Sequence, residues 1–139
     1  MSGSIVIFSP RRLGPVLNVA KKFPNVKFEH ATGYKTAPNA ANYGLKLYQA
    51  RHIQGLIAGM MTKTNKICYV ASYPIPEVIR EINTYYLGAK KMNPDVELKI
   101  TWVFTWYNPG KEADAAKAMI DQGCDMVAQH TDSPAPLMA

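Results

Sequence analysis

Long apolar runs are missing from this sequence. The longest, Ile5–Phe8 and Leu56–Met61, fall far short of the roughly 20 residues that a bilayer-spanning helix requires, so no membrane span is expected. Glycine-rich phosphate loops are missing as well. Neither GxGxxG nor GxxxxGK followed by Ser or Thr occurs, which leaves no support for a dinucleotide fold or a P-loop. His30, His52 and His130 stand too far apart for the spacing of a zinc site, and no metal or cofactor is expected. No secretory signal is legible, because Met1-Ser2-Gly3-Ser4 and a short apolar run lead straight into Pro10-Arg11-Arg12. The two cysteines, Cys68 and Cys124, lie outside any CxxC and inside apolar strand-like runs. They read as buried small hydrophobes rather than a disulfide.

Acidic residues are scarce in the first half. Residues 1–66 hold ten Lys/Arg against one acid, Glu29, for +9, whereas residues 67–139 hold six against nine, for −3. Such asymmetry can mark a nucleic-acid surface. The basic residues here are scattered and lack the interleaved aromatics of a base-stacking platform, so a solvated face is the reading and no nucleic-acid partner is expected. What is present is the composition of a globular protein. The 139 residues are 47% hydrophobic and 19% charged, enough apolar surface to offset ordering entropy, which excludes a disordered chain.

Periodicity alternates between strand and helix along the whole chain. Ile5–Phe8 reads as a buried strand, and Pro15 opens a helix with Val16, Val19, Ala20 and Phe23 at helical spacing. Val26–His30 alternates as a strand, and 33–42 reads as a polar loop. A long helix runs from about Leu45 to Met61, in which Gly55 and Gly59 are weak points unless another backbone packs closely against them. Then follow a strand at Ile67–Ala71, a helix at Glu77–Met92, a strand at Leu98–Phe104, a helix at Lys111–Gln122 with Gly123 behind it, and a strand at Met126–Gln129. The order β-α-β-α-β-α-β-α-β predicts an α/β fold: a three-layer arrangement of a parallel sheet flanked by helices.

Parallel α/β sheets place ligands at the carboxyl ends of their strands, here Ser9–Leu13, Ala31–Tyr34, Ser72–Tyr73, Thr105–Asn108 and His130–Ser133. Trp106-Tyr107-Asn108 and His130-Thr131-Asp132 each directly follow a strand. Together they offer an aromatic face with amide, hydroxyl and carboxylate groups, the set that a flat hydrogen-bonding ligand such as a nucleobase needs. The same tryptophan and tyrosine could equally pack against the next helix. His130-Thr131-Asp132-Ser133 also holds the residue types of a hydrolytic triad, but consecutive neighbours do not converge as nucleophile, base and orienter. No catalytic residue is assigned and no enzyme is expected.

Several stretches resemble the basic membrane protein (BMP) family, the substrate-binding lipoproteins of ABC transporters, some of which bind purines or purine nucleosides. The resemblance runs over about residues 18–136. It is carried by Val19–Pro24, Phe28–Thr36, Tyr48–Arg51 and Ala58–Lys63, and most closely by Tyr69-Val70-Ala71-Ser72-Tyr73-Pro74-Ile75-Pro76-Glu77-Val78-Ile79-Arg80. Asn108-Pro109-Gly110-Lys111-Glu112-Ala113-Asp114-Ala115-Ala116-Lys117 and Ala128-Gln129-His130-Thr131-Asp132-Ser133-Pro134-Ala135-Pro136 complete it.

The resemblance implies part of a type I periplasmic-binding clamshell with flavodoxin-like lobes. Residues 1–36 would be a remnant of the first lobe, 37–42 a hinge crossing, and 43–139 the first part of the second lobe. It implies that Tyr107 stacks on the ligand beside Trp106, and that Asn108, His130, Thr131 and Asp132 bind it. Arg80 and Asn83 stand where related sugar-binding clamshells place contacts. The implied ligand is a purine base or nucleoside, bound without chemistry, with an ABC permease as partner. Family members are roughly twice as long and are periplasmic or cell-surface lipoproteins. The chain therefore reads as a truncated or expressed piece, cytoplasmic as encoded or cut from an exported protein. Ser9-Pro10-Arg11-Arg12-Leu13 also departs from the family pattern. A homodimer completing missing strands, or a stand-alone α/β interaction module that has lost transport, is the competing expectation.

Overall fold

The computed structural model describes residues 4–8 and 13–139, with side chains described from Gly14 onward. The apolar β-rich runs form strands and the intervening runs form helices. In chain order these are β1 (Ser4–Phe8), α1 (Leu13–Lys22), β2 (Lys27–Ala31), β3 (Ala40–Tyr43), α2 (Leu47–Met61), β4 (Lys66–Ala71), α3 (Pro76–Met92), β5 (Glu97–Trp102), α4 (Pro109–Asp121), β6 (Met126–His130) and a 3-10 turn at Ala135–Leu137. All named strand pairs are parallel, as expected for an α/β fold. The strands divide into two sheets, ordered β1-β2-β3 and β5-β4-β6, where the sequence suggested one. The chain correspondingly splits into two compact units, Met1–Lys46 and Leu47–Ala139.

In the first unit, Val16 and Ala20 of α1 pack with Phe28 and Ala40. The polar loop expected over 33–42 ends in a strand, β3, paired in parallel with β2. Ala40-Ala41-Asn42-Tyr43 carries no β-branched residue, so propensity alone concealed it. Asn39 secures the connection. Its side-chain amide reaches the carbonyls of Ala20, Phe23 and Val26 at 3.0 Å each, taking up acceptors that the end of α1 leaves open. Of the strand-end segment Ser9–Leu13, only Leu13 lies within the described residues.

The second unit is a three-layer sandwich centred on β4, in which Ile67 to Ala71 are all fully buried. Strand alternation sends Ile67, Tyr69 and Ala71 to one face, against Ala58, Val78, Ile82, Tyr85 and Ala89 of α2 and α3. Cys68 and Val70 face the other side, against Ala115, Ala116 and Met119 of α4. The α2–α3 contact is close enough to exclude side chains. A Cβ on Gly55 would collide with the Tyr85 carbonyl, and one on Gly59 would lie 2.9 Å from the Ala89 Cα. Another backbone does pack where the two glycines interrupt the helix.

Cys68 and Cys124 are joined as a disulfide, with Cα atoms 6.0 Å apart, which corrects the reading of two separate buried thiols. The parallel pairing of β4 with β6 brings Cys124, two residues before β6, close to β4, a juxtaposition that spacing in sequence does not reveal. Asp125, beside it, accepts hydrogen bonds from the Thr62 hydroxyl (2.6 Å) and the backbone N–H groups of Lys63 (2.5 Å) and Thr64 (2.9 Å). These contacts tie the loop after α2 to the start of β6.

Candidate functional site

The carboxyl ends of β4, β5 and β6 lie side by side, because the three strands are parallel neighbours. Backbone bonds fuse the segments that follow. The N–H groups of Val103 and Phe104 donate to the carbonyls of Ala71 (2.9 Å) and Ser72 (3.0 Å), and that of Asp132 donates to the Trp106 carbonyl (2.7 Å). Phe104 adopts a left-handed φ of 51°, a costly conformation for an aromatic residue and one that clusters at ligand sites.

Aromatic rings gather on this platform. Trp106 lies 5.7 Å from Tyr73 and 5.9 Å from His130 between ring centroids, the latter edge-to-face, and Phe104 stands 6.3 Å from Tyr73. Tyr107 is 63% exposed and makes no ring contact among the described residues, so its faces are open. Asn108 caps α4, where its side-chain oxygen accepts from the Lys111 N–H at 3.1 Å.

The structure thus brings Trp106, His130 and the Asp132 backbone into direct contact and sets Tyr107 and Asn108 beside them in the chain. Asp132 is exposed and Thr131 half-buried. Arg80 and Asn83 sit on α3 and are exposed. The Arg80 guanidinium lies over the Tyr48 ring, 5.1 Å from its centroid, and among the described residues no ring contact or ion pair joins Arg80 or Asn83 to the ring cluster.

Sequence reasoning missed the acids beneath the platform. Glu81, 1% exposed, places Oε2 at 3.2 Å from Arg51 Nε and 3.2 Å from His130 Nδ1. The second distance is that of an ion pair, with angles outside a regular hydrogen bond. Burial alone would raise the Glu81 pKa, but His130 and then Arg51 outweigh it and hold the carboxyl below its ordinary range. Arg51 also donates from Nη2 to the Gln129 carbonyl at 2.9 Å and lies 5.6 Å from the Tyr69 ring centroid. Burial pushes the hydroxyl of neighbouring Tyr85 up to about 12.

Glu112, fully buried on α4, accepts the Asn108 N–H at 2.5 Å and the Ser133 hydroxyl. Burial opposes ionisation here too, and the hydrogen bonds from Asn108 and Ser133 lower the pKa despite it. One signal for Glu81 was available: it falls between Val78, Ile82 and Tyr85 on the apolar face of its helix.

Polar atoms at the same end lack partners. Ser72 Oγ, Glu81 Oε1 and Gln129 Oε1 are buried without a hydrogen bond, although buried polar groups are nearly always satisfied. A cleft of about 420 Å³ runs along β6 from Met126 to Thr131, opposite Arg51, Gln54 and Ile57 of α2, and is lined by none of Trp106, Tyr107, Asn108, His130 and Asp132. Its size suits a small ligand. Among the described residues no cluster of three metal-ligating side chains occurs, and no helix is long and apolar enough to cross a membrane.

Residues 5–135 match the family model Bmp, described as ABC transporter substrate-binding protein PnrA-like. The chain is 54% identical over 125 residues to a purine-binding protein of Brucella abortus, covering 90% of this chain and 36% of that protein. It is 46% identical over 125 residues to a Haloferax volcanii protein named as an ABC transporter glucose-binding protein, covering 90% of this chain and 32% of the relative. The chain therefore spans about a third of the length of these relatives. Among solved structures, an ABC-transporter solute-binding protein from Aeropyrum pernix superposes with a TM-score of 0.82 at 21% identity, over 97% of this chain and 40% of that one.

Proposed function

Since the chain belongs to the Bmp family of PnrA-like ABC-transporter substrate-binding proteins, we propose that it carries half of a solute-capture site, whose ligand is a purine base or nucleoside. Capture involves no chemistry: a planar base stacks on Tyr107 beside Trp106, and Asn108, His130, Thr131 and Asp132 supply polar contacts at its edge. In a complete receptor the other lobe would close on the opposite face, and an ABC permease outside this chain would take up the solute. The observation that carries the reading is the aromatic cluster of Tyr73, Trp106 and His130 at the strand ends, with unpartnered buried oxygens behind it. Such a surface offers a base both a π-face and hydrogen bonds. The high identity to a purine-binding protein favours this ligand class over a sugar.

Tryptophan fluorescence tests it, since Trp106 lies inside the cluster and Trp102 can be silenced by W102F. Titration with adenine, guanine, adenosine and guanosine should give a saturable change, and glucose none. Tyr107→Ala should weaken purine binding about 10- to 100-fold, the effect of losing one base–aromatic stack of about 1–3 kcal/mol. Saturation by glucose alone, or a flat response from folded protein, would overturn the reading. A mass measured in parallel tells whether a second copy completes the site.

A further inference from the structure

Both outer strands of the second unit's sheet present a backbone edge, but only one is guarded. β5 carries Glu97 and Lys99, charges of the kind that keep an edge strand from pairing further. β6, Met126-Val127-Ala128-Gln129-His130, carries no lysine, acid or proline, and it pairs with β4 alone among the described strands. The cleft runs along that second edge and is lined by four consecutive residues from Met126 to Gln129. Successive side chains point to opposite faces of a strand, so a cleft lined by all four lies on the edge itself. The Gln129 carbonyl is turned outward, where Arg51 Nη2 donates to it at 2.9 Å. Backbone groups alternate sides along a strand, so Val127 faces outward too. A carbonyl accepts two hydrogen bonds, which leaves that of Gln129 open to one more.

Apolar surface adjoins this edge. On α2, Ile53, Ile57, Met60 and Met61 recur at helical spacing and are 43% to 61% exposed, and Leu137 beyond β6 is 70% exposed. Ile57 and Leu137 line the cleft itself. Exposed apolar residues gathered in one place mark an interaction surface, whereas scattered ones do not.

We propose that two copies of the chain join at this edge, β6 pairing antiparallel with β6 of the second copy about a twofold axis at Ala128. A closed pair of identical edge strands is antiparallel, with the twofold perpendicular to the sheet. Val127 of one copy then exchanges both backbone hydrogen bonds with Gln129 of the other. Each sheet face continues across the seam, so the two α2 helices come side by side and bury their apolar stripes on one another. The charges agree with this register. Lys63 is exposed beside the start of β6, its backbone N–H donating to Asp125 at 2.5 Å, and Asp132 is exposed just past the end. Antiparallel pairing sets the start of one strand against the end of the other, and so each Lys63 against an Asp132, twice by symmetry. The strand ends of the two copies point in opposite directions. Both ring clusters therefore stay open, and self-association stands apart from the purine reading.

Sedimentation and backbone hydrogen exchange of the full chain across a concentration series test the pairing. Twice the chain mass is expected at about 100 µM, with the Val127 and Gln129 amides exchanging more slowly as the dimer forms. Ile57→Glu should weaken the dimer about 100-fold, because the twofold buries the change twice. Lys63→Glu should weaken it about tenfold, and adding Asp132→Lys should restore it, a rescue that a loss of folding does not mimic. A monomer at that concentration overturns the inference and leaves the edge to some other strand. β6 amides protected equally at every concentration would mean that the chain covers its own edge, and overturn it too. So would a dimer whose protection falls on Trp106 and Tyr107 rather than on β6, or one indifferent to Ile57→Glu.

Discussion

Gly55→Ala is expected to destabilise the protein by about 2–3 kcal/mol or more, and Gly88→Ala by a similar amount, although both changes place a better helix former in a helix. Helix propensity by itself predicts a gain of nearly 1 kcal/mol for each. Packing reverses the sign. A methyl group on Gly55 would run into the Tyr85 carbonyl, and one on Gly88 into the His52 carbonyl with the Leu56 nitrogen 3.0 Å away. These obstacles are backbone, so no rotamer change can relieve them. The two helices must separate, and separation opens the layer in which Ala58, Ile82, Tyr85 and Ala89 pack on β4. Overpacking of this kind typically costs 1–3 kcal/mol. In a unit of this size that is a fall in Tm of roughly 10–20 °C. Gly14→Ala is the control, because nothing lies within 4 Å of a Cβ there, and it should leave Tm unchanged or slightly raised. Thermal unfolding followed by circular dichroism makes the comparison. A Gly55→Ala protein as stable as the parent would mean that the α2–α3 backbone contact does not limit the packing of this layer.

That close approach was legible in the sequence as a conflict: two glycines inside an otherwise strong helix make sense only against another backbone. The alternation of apolar strands and helices was legible for the same kind of reason, since burial on both faces of β4 demands an unbroken run such as Ile67–Ala71. Strand β3 was not legible, because Ala40–Tyr43 is held by pairing with β2 and by the Asn39 amide rather than by its own propensity. The disulfide partner of Cys68 was hidden because parallel pairing, unlike a hairpin, joins residues far apart in the chain. At the site, the residues facing outward at the strand ends were readable from position alone. Of the ones beneath them, Glu81 left a trace in its place on the apolar face of α3, but Arg51 and Glu112 did not, since a charged residue on a helix reads as solvated until the fold shows which face is covered.

Glu112→Ala should cost about 3 kcal/mol at neutral pH and weaken ligand capture as well, because this one carboxylate joins two of the strand-end loops. Its oxygens accept the Asn108 N–H at the start of α4 and the Ser133 hydroxyl after β6. Truncation leaves the buried Ser133 hydroxyl without its acceptor, at about 1–3 kcal/mol, and removes the part-buried bond from the Asn108 N–H, at about 1 kcal/mol more. The Asp132 N–H to Trp106 carbonyl bond and the Trp106–His130 ring contact would then hold those loops together, and Tyr107 and Asn108 would be less firmly placed against His130. The pH dependence follows from the direction of the Glu112 shift. Its pKa is lower in the folded chain than in the unfolded one, so the stability it contributes is fully present above the ordinary carboxylate pKa of about 4.3. That contribution is lost as pH falls through the depressed folded value. Denaturant unfolding of parent and Glu112→Gln protein at neutral pH and near pH 4 should therefore show the two curves converging in acid, because the variant has no charge there to lose. Parallel curves, or a Glu112→Ala protein within about 0.5 kcal/mol of the parent, would mean that the loops are held by their backbone bonds alone.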